Sequence, residues 1–261
     1  MDHKINHTVG LALSGGAVRG IAHIGVLEVL EQEGIPIHSI AGTSAGSIIG
    51  ALYAAGIPLP EIKRIALKTK WKNLFRFTVP KMGLISSDGL SAFMEDILPV
   101  KNFSALRIPF AAVATDLKTG EKVSLTSGSI AKAVQASCSL PVIFTPTKVG
   151  GKLLVDGGVA SQIPVRTARE ELGASIVIAV DVNYRSLESN RYDNLLKIAA
   201  HLSMIMAARN AREEKRFADI VVPVNAKGIA LYDLAKAQEL LRRGRRAAEE
   251  KIPEIKRLVQ R

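Results

Sequence analysis

Ser44 lies in a five-residue pattern that could supply a catalytic nucleophile. The segment Gly42-Thr43-Ser44-Ala45-Gly46 matches G-x-S-x-G and stands between a predicted strand and a predicted helix. In that setting the pattern is typical of a nucleophile elbow, a sharp turn that presents the serine hydroxyl at a helix N-terminus. The other interpretation is a serine that caps a helix in a glycine-rich turn. We expect Ser44 to be the nucleophile of an acyl transfer.

A glycine-rich loop, SGGAVRG, joins the first predicted strand to the first predicted helix at residues 14–20. One interpretation is a dinucleotide fingerprint, G-x-G-x-x-G. Here Ala17 replaces the middle glycine, and the acidic residue expected about twenty positions later is missing from the zone at 36–40. The loop is therefore not predicted to bind a dinucleotide.

The same loop could instead form an oxyanion hole. Backbone N–H groups at a helix start can point at an acyl oxyanion, and small residues let the substrate approach closely. We assign this role to Gly15, Gly16 and Ala17. Arg19 could either hold the loop or pair with a phosphate head group. A simple tight turn between strand and helix is the remaining interpretation.

Asp156 is the predicted base for Ser44. It ends the strand predicted at Lys152–Val155 and precedes Gly157-Gly158, which leave room beside its carboxylate. A carboxylate in direct contact with the serine could accept its proton, and partial burial would raise its pKa. Asp-Gly is also a common hairpin turn, so a structural interpretation stays open.

His201 is the rival candidate for the base. The order Ser44, Asp156, His201 fits an α/β-hydrolase triad, but His201 falls within a predicted helix and not on a loop after a strand. Asp116 and Asp181 also end predicted strands and are weaker rivals. The other histidines are predicted to be structural or solvated; they are His3, His7, His23 and His38.

The elements around these motifs predict an α/β fold. Strands at Val9–Ser14 and Ile35–Ala41 alternate with helices at Gly20–Glu33 and Gly42–Ala55, which favours a parallel sheet with helices on its faces. The loops that carry the two motifs then lie at the same edge of the sheet. Further along the chain the pattern predicts strands at 109–116, 122–126, 152–155, 175–182 and 220–224, and helices at 129–139, 193–216 and 231–261, the last with a break at Pro253.

Composition and charge narrow the class of protein. The chain has 261 residues, 48% of them hydrophobic, and a single cysteine, Cys138, which excludes a disulfide framework within the chain. No signal peptide is recognisable, and no run of 18 apolar residues occurs, so a cytoplasmic protein is expected. The net charge of +11 favours anionic partners. Specific nucleic-acid binding is not expected, because the sequence has no zinc-ligand spacing or recognition helix.

Taken in order, the motifs at 15–20, 42–46 and 156–158 resemble those of the patatin-like phospholipases, in particular the compact bacterial members. The run Ala136-Ser-Cys-Ser-Leu-Pro141 and the run His23-Ile-Gly-Val-Leu27 are also similar to that family. The resemblance covers roughly residues 9–182. It implies a three-layer α/β/α sandwich with a mostly parallel central sheet.

The resemblance also implies a Ser–Asp dyad without a catalytic histidine, so Ser44 would be the nucleophile and Asp156 the base. The oxyanion donors would be the amides of Gly15, Gly16 and Ala17, with Arg19 at the family's basic position. The family usually has glycine where this chain has Ala17, a departure that matters if the position needs a positive φ.

These expectations combine into a serine acyl hydrolase that acts on lipid esters without metal or cofactor. Residues 1–225 would form the hydrolase domain, and 226–261 a basic helical extension packed on it. The aromatic and basic stretch Trp71–Lys81 suits peripheral contact with an anionic membrane, and 68–103 is a candidate lid. The alternatives are a non-catalytic regulatory or adaptor protein that keeps the fold, and a small-ester esterase or thioesterase.

Overall fold

The computed structural model describes residues 7–69, 76–77, 85–186 and 195–260. The strands are β1 (Val9–Leu13), β2 (Ser39–Thr43), β3 (Arg76–Phe77), β4 (Ile85–Ser86), β5 (Phe110–Asp116), β6 (Lys122–Leu125), β7 (Thr147–Val149), β8 (Lys152–Asp156), β9 (Ile176–Tyr184) and β10 (Ile220–Asn225). The α-helices are α1 (Ala22–Gln32), α2 (Ala45–Ala54), α3 (Leu59–Lys68), α4 (Asp88–Ile97), α5 (Ile130–Ser137), α6 (Leu195–Glu214), α7 (Ala237–Glu249) and α8 (Ile252–Val259).

The main sheet has the strand order β10-β9-β1-β2-β5-β8-β7, with β6 also paired to β5. Strands β10, β9, β1, β2 and β5 run parallel to one another, whereas β6 and β8 pair antiparallel with β5, and β7 pairs antiparallel with β8. The strands predicted at 109–116 and 122–126 are present as β5 and β6, and they pair with each other.

Both faces of the sheet are covered, because alternate side chains of a strand point to opposite faces. In β1, Leu11 and Leu13 belong to the large core that includes α1, α2 and α7. Ala12 points the other way, into a second core shared with Ala168 and with Ala211 of α6. The predicted α/β/α layering is therefore confirmed.

The structure moves some predicted boundaries. β2 extends to Thr43 and α2 begins only at Ala45, so Ser44 stands alone between them. The first helix starts with a 3-10 turn at Ala17–Ile21. The amphipathic helices α3 and α4 lie between α2 and β5, where the sequence pattern predicts no helix or strand. Most of the predicted aromatic and basic stretch at 71–81, and part of the candidate lid, lie outside the described residues.

The hairpin alternative for Asp156 is wrong. β8 is followed by a 3-10 turn at Gly157–Val159, and the Asp156 side chain caps that turn. The hairpin lies at the other end of β8, where Gly150 and Gly151 connect β7 to β8 with φ of 55° and 77°. Two consecutive residues with positive φ are what a two-residue hairpin loop requires.

Helix α7 packs directly against α1. A Cβ atom added to Gly244 would lie 2.1 Å from the backbone oxygen of Ala22, and one added to Gly25 would lie 2.2 Å from that of Leu241. The two glycines thus let the helix backbones touch. In the part of the chain that the structure describes, no helix combines the length and hydrophobicity needed to cross a bilayer.

Candidate active site

The ends of β2 and β8 meet beside the middle of β5. Thr43, the last residue of β2, pairs with Val113 of β5, and Asp156, the last residue of β8, pairs with the next residue, Ala114. β2 runs parallel and β8 antiparallel to β5, and β6 occupies the other edge of β5, so the carboxyl ends of β2 and β8 face each other along one edge. Ser44, directly after Thr43, therefore lies next to Asp156.

The turn at Ser44 has the sharp geometry that the sequence pattern predicts. Ser44 adopts φ 50° and ψ −122°, a conformation that residues with a side chain rarely adopt. The turn is also too tight for side chains at its flanking glycines. A Cβ atom on Gly42 would lie 2.5 Å from the Gly46 oxygen, and one on Gly46 would lie 2.3 Å from the Leu13 oxygen.

The surroundings of Asp156 increase the proton affinity of its carboxylate. The carboxyl is only 5% exposed, and its Oδ1 accepts the Gly158 N–H at 2.7 Å. Burial raises the pKa of Asp156 to about 6, against the opposing effect of hydrogen bonds from the Gly158 N–H and the Ser44 hydroxyl. A carboxylate with this pKa is ionised at neutral pH and is a better proton acceptor than an exposed one.

Cys138 lines the same cavity as Ser44, a position that the motifs in the sequence do not predict. Its Sγ lies 3.9 Å from the Ser47 hydroxyl. Burial, and secondly the charge of Asp156, raise the pKa of the Cys138 thiol, while hydrogen bonds with Ser47 and Ser44 act in the opposite direction. The thiol is therefore neutral at physiological pH.

The glycine loop presents two backbone amides to the site. Among the described residues, the N–H groups of Gly16 and Ala17 have no hydrogen-bond partner, and both residues line the same cavity as Ser44. Gly15 differs from the expectation, because its N–H donates to the backbone oxygen of Gln162 at 3.1 Å. The amide of Gly15 is thus already used in holding the loop.

Ala17 occupies a position that favours glycine. Its φ is 48°, in the left-handed region where a side chain raises the energy of the backbone. The departure from the family pattern therefore falls where the chain would prefer glycine, yet alanine keeps the backbone N–H that has no partner among the described residues.

Arg19 holds the loop from behind and does not face the cavity. The residue is fully buried, its Nε and Nη2 donate to the Ile229 oxygen at 3.0 and 2.6 Å, and its Nη1 donates to Asn183 Oδ1 at 3.1 Å. Burial lowers the pKa of Arg19 to about 10. Of the two roles expected from the sequence, these contacts serve the positioning of the loop; contact with a phosphate head group would need the guanidinium at the cavity surface.

Two amide side chains that sequence reasoning missed complete the support of the loop. Asn183 Nδ2 and Gln162 Nε2 donate to the Gly15 oxygen at 2.6 and 3.1 Å. The Gln162 N–H in turn donates to Asn210 Oδ1 at 2.8 Å, which ties this support to α6. Neither residue stands in a recognisable motif, because their role depends on distant segments that only the fold brings together.

A cavity of about 630 Å³ opens in front of Ser44 and Asp156. Its walls are mainly apolar and small side chains from several elements; they include Ile21, Ile48, Ile49, Leu90, Leu140, Phe144, Val159, Met204, Ala207, Ala208, Ala211, Leu231, Tyr232 and Leu234. A space of this size and lining suits a flexible apolar ligand.

The rival bases occupy other surroundings. His201 lies on α6 and is not among the described residues that line the cavity. Asp181 lines it but is paired with Lys215 Nζ at 2.8 Å. Asp116 accepts the Lys118 N–H at 2.9 Å and has no place in the cavity lining. Within the described ranges, no three His, Cys, Asp or Glu side chains cluster in a way that could hold a metal ion.

A family model described as Patatin-like phospholipase matches residues 11–169. The chain belongs to the patatin-like phospholipase family. The matched range contains the glycine loop, the turn at Ser44 and Asp156. The resemblance of the three motifs is thus confirmed.

Curated relatives include proteins from bacteria, fungi and animals. An uncharacterized NTE family protein of Mycobacterium tuberculosis is 35% identical over 178 residues, covering 67% of this chain and 49% of the relative. Lysophospholipase NTE1 of Debaryomyces hansenii is 34% identical over 183 residues, with 68% and 12% covered. Patatin-like phospholipase domain-containing protein 7 of Rattus norvegicus is 33% identical over 189 residues, with 69% and 14% covered. The chain spans about half the length of the mycobacterial relative and far less of the eukaryotic ones.

Solved structures with the same fold include two bacterial proteins. VipD from Legionella pneumophila superimposes with a TM-score of 0.65 at 13% identity, covering 96% of this chain and 67% of that one. ExoU from Pseudomonas aeruginosa, in its complex with SpcU, gives a TM-score of 0.51 at 16% identity, covering 96% and 52%. At such low identities the likeness concerns the fold.

Proposed function

We propose that the protein is a serine hydrolase that cleaves acyl esters of phospholipids or lysophospholipids with a Ser44–Asp156 dyad. The observation that carries the proposal is the meeting of β2 and β8, whose carboxyl ends face each other along one edge of β5 and place Ser44 beside the buried carboxyl of Asp156. A nucleophile and a base in direct contact are the minimum that acyl transfer through a serine requires.

In the first half-reaction, Asp156 takes the proton of the Ser44 hydroxyl while Ser44 Oγ attacks the ester carbonyl. The tetrahedral intermediate collapses, the bond to the alcohol oxygen breaks, and the leaving alkoxide receives the proton from Asp156. In the second half-reaction, Asp156 takes a proton from water, and the hydroxide attacks the acyl-enzyme. The fatty acid leaves, and Ser44 regains its proton.

The amides of Gly16 and Ala17 are the proposed oxyanion donors. Both are without partners among the described residues and line the cavity beside Ser44. Preorganised donors of this kind stabilise the charge that develops on the carbonyl oxygen, and losing one typically slows the reaction about a hundredfold or more.

The proposed substrate class is supported by the cavity and by the relatives. The apolar lining suits an acyl chain, and two of the relatives carry the names lysophospholipase and patatin-like phospholipase. The protein is proposed to work from the cytoplasm, at the surface of a membrane.

The test is labelling of the purified protein by a fluorophosphonate probe, with the adduct located by mass spectrometry. Wild type, Ser44→Ala, Asp156→Asn and His201→Ala would be compared, each checked for folding by circular dichroism. We expect the adduct on Ser44, its loss in the Asp156 variant, and full labelling in the His201 variant. Loss of labelling in a folded His201→Ala protein would replace the dyad by a triad.

Substrate assays then separate the proposed function from its alternatives. Hydrolysis rates for lysophosphatidylcholine, phosphatidylglycerol and p-nitrophenyl esters of increasing chain length would be measured on wild type and Ser44→Ala. A lipid hydrolase prefers the long-chain and phospholipid substrates. A preference for acetyl or butyryl esters would indicate a small-ester esterase, and absence of labelling and turnover would indicate an adaptor that keeps only the fold.

A further inference from the structure

Helix α6 carries an unusual set of exposed apolar side chains. Ile198, Leu202, Ile205 and Met206 are 41, 55, 38 and 52% exposed. Their spacing of four, three and one residues places them on one face of the helix, within about a quarter of its circumference. We call these four residues the apolar stripe. Exposed apolar side chains that gather on one surface indicate an interaction site.

The same helix face becomes basic toward its end. Arg209 and Arg212 follow the apolar stripe on α6, Arg216 lies in the 3-10 turn Lys215–Phe217 that continues the helix, and all three are exposed. The one acidic residue on this face is Glu213, which pairs with Arg216 at 3.1 Å. The face therefore changes from apolar to net positive along about 27 Å, given a rise of about 1.5 Å per residue.

The cavity lies along the flank of the same helix. Met204, Ala207, Ala208 and Ala211 line it from α6, and Ala207 and Ala211 are buried, so this side of the helix faces the body of the protein. Arg212 both lines the cavity and is exposed, so the cavity reaches the surface beside the basic end of the stripe.

The rim of the cavity adds apolar surface to this region. Tyr184, Tyr232 and Leu234 line the cavity and are nevertheless 45, 58 and 43% exposed. Tyr232 lines the same cavity as Ser44 and Asp156, so this part of the rim belongs to the site. An apolar rim of this kind would let an acyl chain enter without crossing water.

We infer that the apolar stripe and the arginines that follow it are the surface by which the protein docks on an anionic membrane. The four apolar side chains would enter the boundary between head groups and acyl chains, while Arg209, Arg212 and Arg216 would contact lipid phosphates. This inference rests on the proposed function, because a lipid hydrolase needs its cavity mouth at the bilayer.

Charge decides between a membrane and a second copy of the chain. Pairing two copies through this face would bring together two molecules of net charge +11, each with arginines beside the contact. An anionic bilayer supplies the opposite charge over the whole face and apolar material for the stripe. Interfacial helices commonly combine these two features.

The experiment is co-sedimentation with vesicles of ether-linked phosphatidylcholine, alone or with 30% ether-linked phosphatidylglycerol. Ether lipids resist ester hydrolysis, and all variants are made in both wild-type and Ser44→Ala backgrounds, so binding is measured independently of catalysis. The variants are Leu202→Ser with Met206→Ser, and Arg209→Gln with Arg216→Gln. The matched controls are Leu117→Ser, another exposed leucine (51%), and Arg246→Gln, another exposed arginine (82%).

We expect the apolar pair to lower vesicle partitioning about tenfold or more. The arginine pair should lower partitioning to anionic vesicles about fivefold for each charge at physiological salt. Both controls should bind like the parent protein. Turnover of a soluble butyryl ester should stay unchanged in the wild-type background, since none of the substituted residues lines the cavity.

The outcomes are distinguishable from failure of the proposed function. If the protein binds vesicles through the stripe but never labels at Ser44, the docking surface stands and the hydrolase does not. If the stripe variants bind as the parent does, the inference is overturned. It is also overturned if light scattering finds a dimer that the Leu202→Ser, Met206→Ser protein loses while its vesicle binding is unaltered, because the stripe is then a contact between copies.

Discussion

The backbone N–H of Ser44 donates a hydrogen bond to the side chain of Ser137 at 2.9 Å, and the Ser137 hydroxyl in turn donates to the Val113 oxygen at 2.6 Å. Ser137 is buried at the end of α5. It therefore links β5 to the turn that holds Ser44 in an unfavourable backbone conformation. Conformations of this kind cost about 1–3 kcal/mol and persist only when the surroundings hold them.

Replacing Ser137 by alanine should loosen that turn. We expect Ser137→Ala to lower the free energy of unfolding by about 1–2 kcal/mol, since two buried groups lose a partner. kcat for ester hydrolysis should fall about tenfold with little change in KM, because the hydroxyl touches the backbone of Ser44 and not the substrate. Steady-state kinetics and urea unfolding would measure both effects.

Ser139→Ala is the matched control. Ser139 is equally buried and two residues away, but its hydroxyl donates to the Gln135 oxygen at 2.9 Å and lies 3.0 Å from that of Thr147. The control should lose a similar amount of stability and keep its kcat. Equal kinetic losses in both variants would mean that Ser137 acts only through general stability.

The pH dependence of the reaction should report the ionisation of Asp156. A base must be deprotonated to accept the serine proton, and burial raises the pKa of Asp156 to about 6. We therefore expect kcat/KM, and the rate of fluorophosphonate labelling, to rise about tenfold per pH unit below pH 6 and to level off above it. If kcat/KM instead levels off near pH 4, Asp156 is solvated in the working enzyme. Any rate that remains in Asp156→Asn should not rise with pH over this range.

The same pKa predicts a change in stability. A carboxyl whose folded-state pKa lies above its unfolded value binds its proton more tightly when folded. Ionised Asp156 therefore destabilises the fold as pH rises from about 4 through about 6. The destabilisation is about 2–3 kcal/mol at pH 8. Asp156→Asn should be more stable than wild type at pH 8, and the difference should vanish near pH 4.

Thermal unfolding at both pH values would check this prediction. Asparagine keeps an oxygen that can accept the Gly158 N–H, so the cap of the 3-10 turn survives the substitution. Glu171→Gln offers a comparison of opposite sign, because its pKa is lowered by its partner Lys122 despite partial burial. If Asp156→Asn is less stable than wild type at pH 8, the ionised carboxylate of Asp156 does not destabilise the fold.

The sequence predicts well those features that depend on neighbouring residues. The small residues around Ser44 predict a tight turn. The structure confirms this, because a Cβ atom on Gly42 or Gly46 would collide with backbone atoms. The alternation of strands and helices up to Ala54 follows from local hydrophobic spacing, and the boundaries shift by only a few residues. Parallel strands then place both loops at one edge of the sheet, as the general rule for such folds predicts.

Features that depend on distant segments are not predictable in this way. Arg19 looks like an anion-binding residue in sequence, but its partners are Ile229 and Asn183, more than 160 residues away. The meeting of Asp156 with Ser44 requires that β8 pair antiparallel with β5 while β2 uses the same edge. Nothing in the local sequence of either strand specifies that arrangement.

Ala17 gives the last prediction, since it combines a positive φ with a place in the cavity lining. Glycine at this position removes the steric strain at φ 48° and keeps the N–H, so Ala17→Gly should raise the free energy of unfolding by about 0.5–1 kcal/mol and keep kcat within about twofold. Ala17→Val should do the reverse, because a β-branched side chain is still less compatible with this conformation. Urea unfolding and ester hydrolysis would measure the three proteins.

Gly120→Ala calibrates the size of this effect. Gly120 has φ 75° and no atom within 4 Å of an added Cβ, so its substitution measures backbone strain alone. We expect it to lose about as much stability as Ala17→Gly gains, with no change in kcat. If Ala17→Gly loses both stability and activity, the methyl group of Ala17 contributes packing that outweighs the strain, and the alanine is then a requirement of this glycine-rich loop and not a tolerated departure.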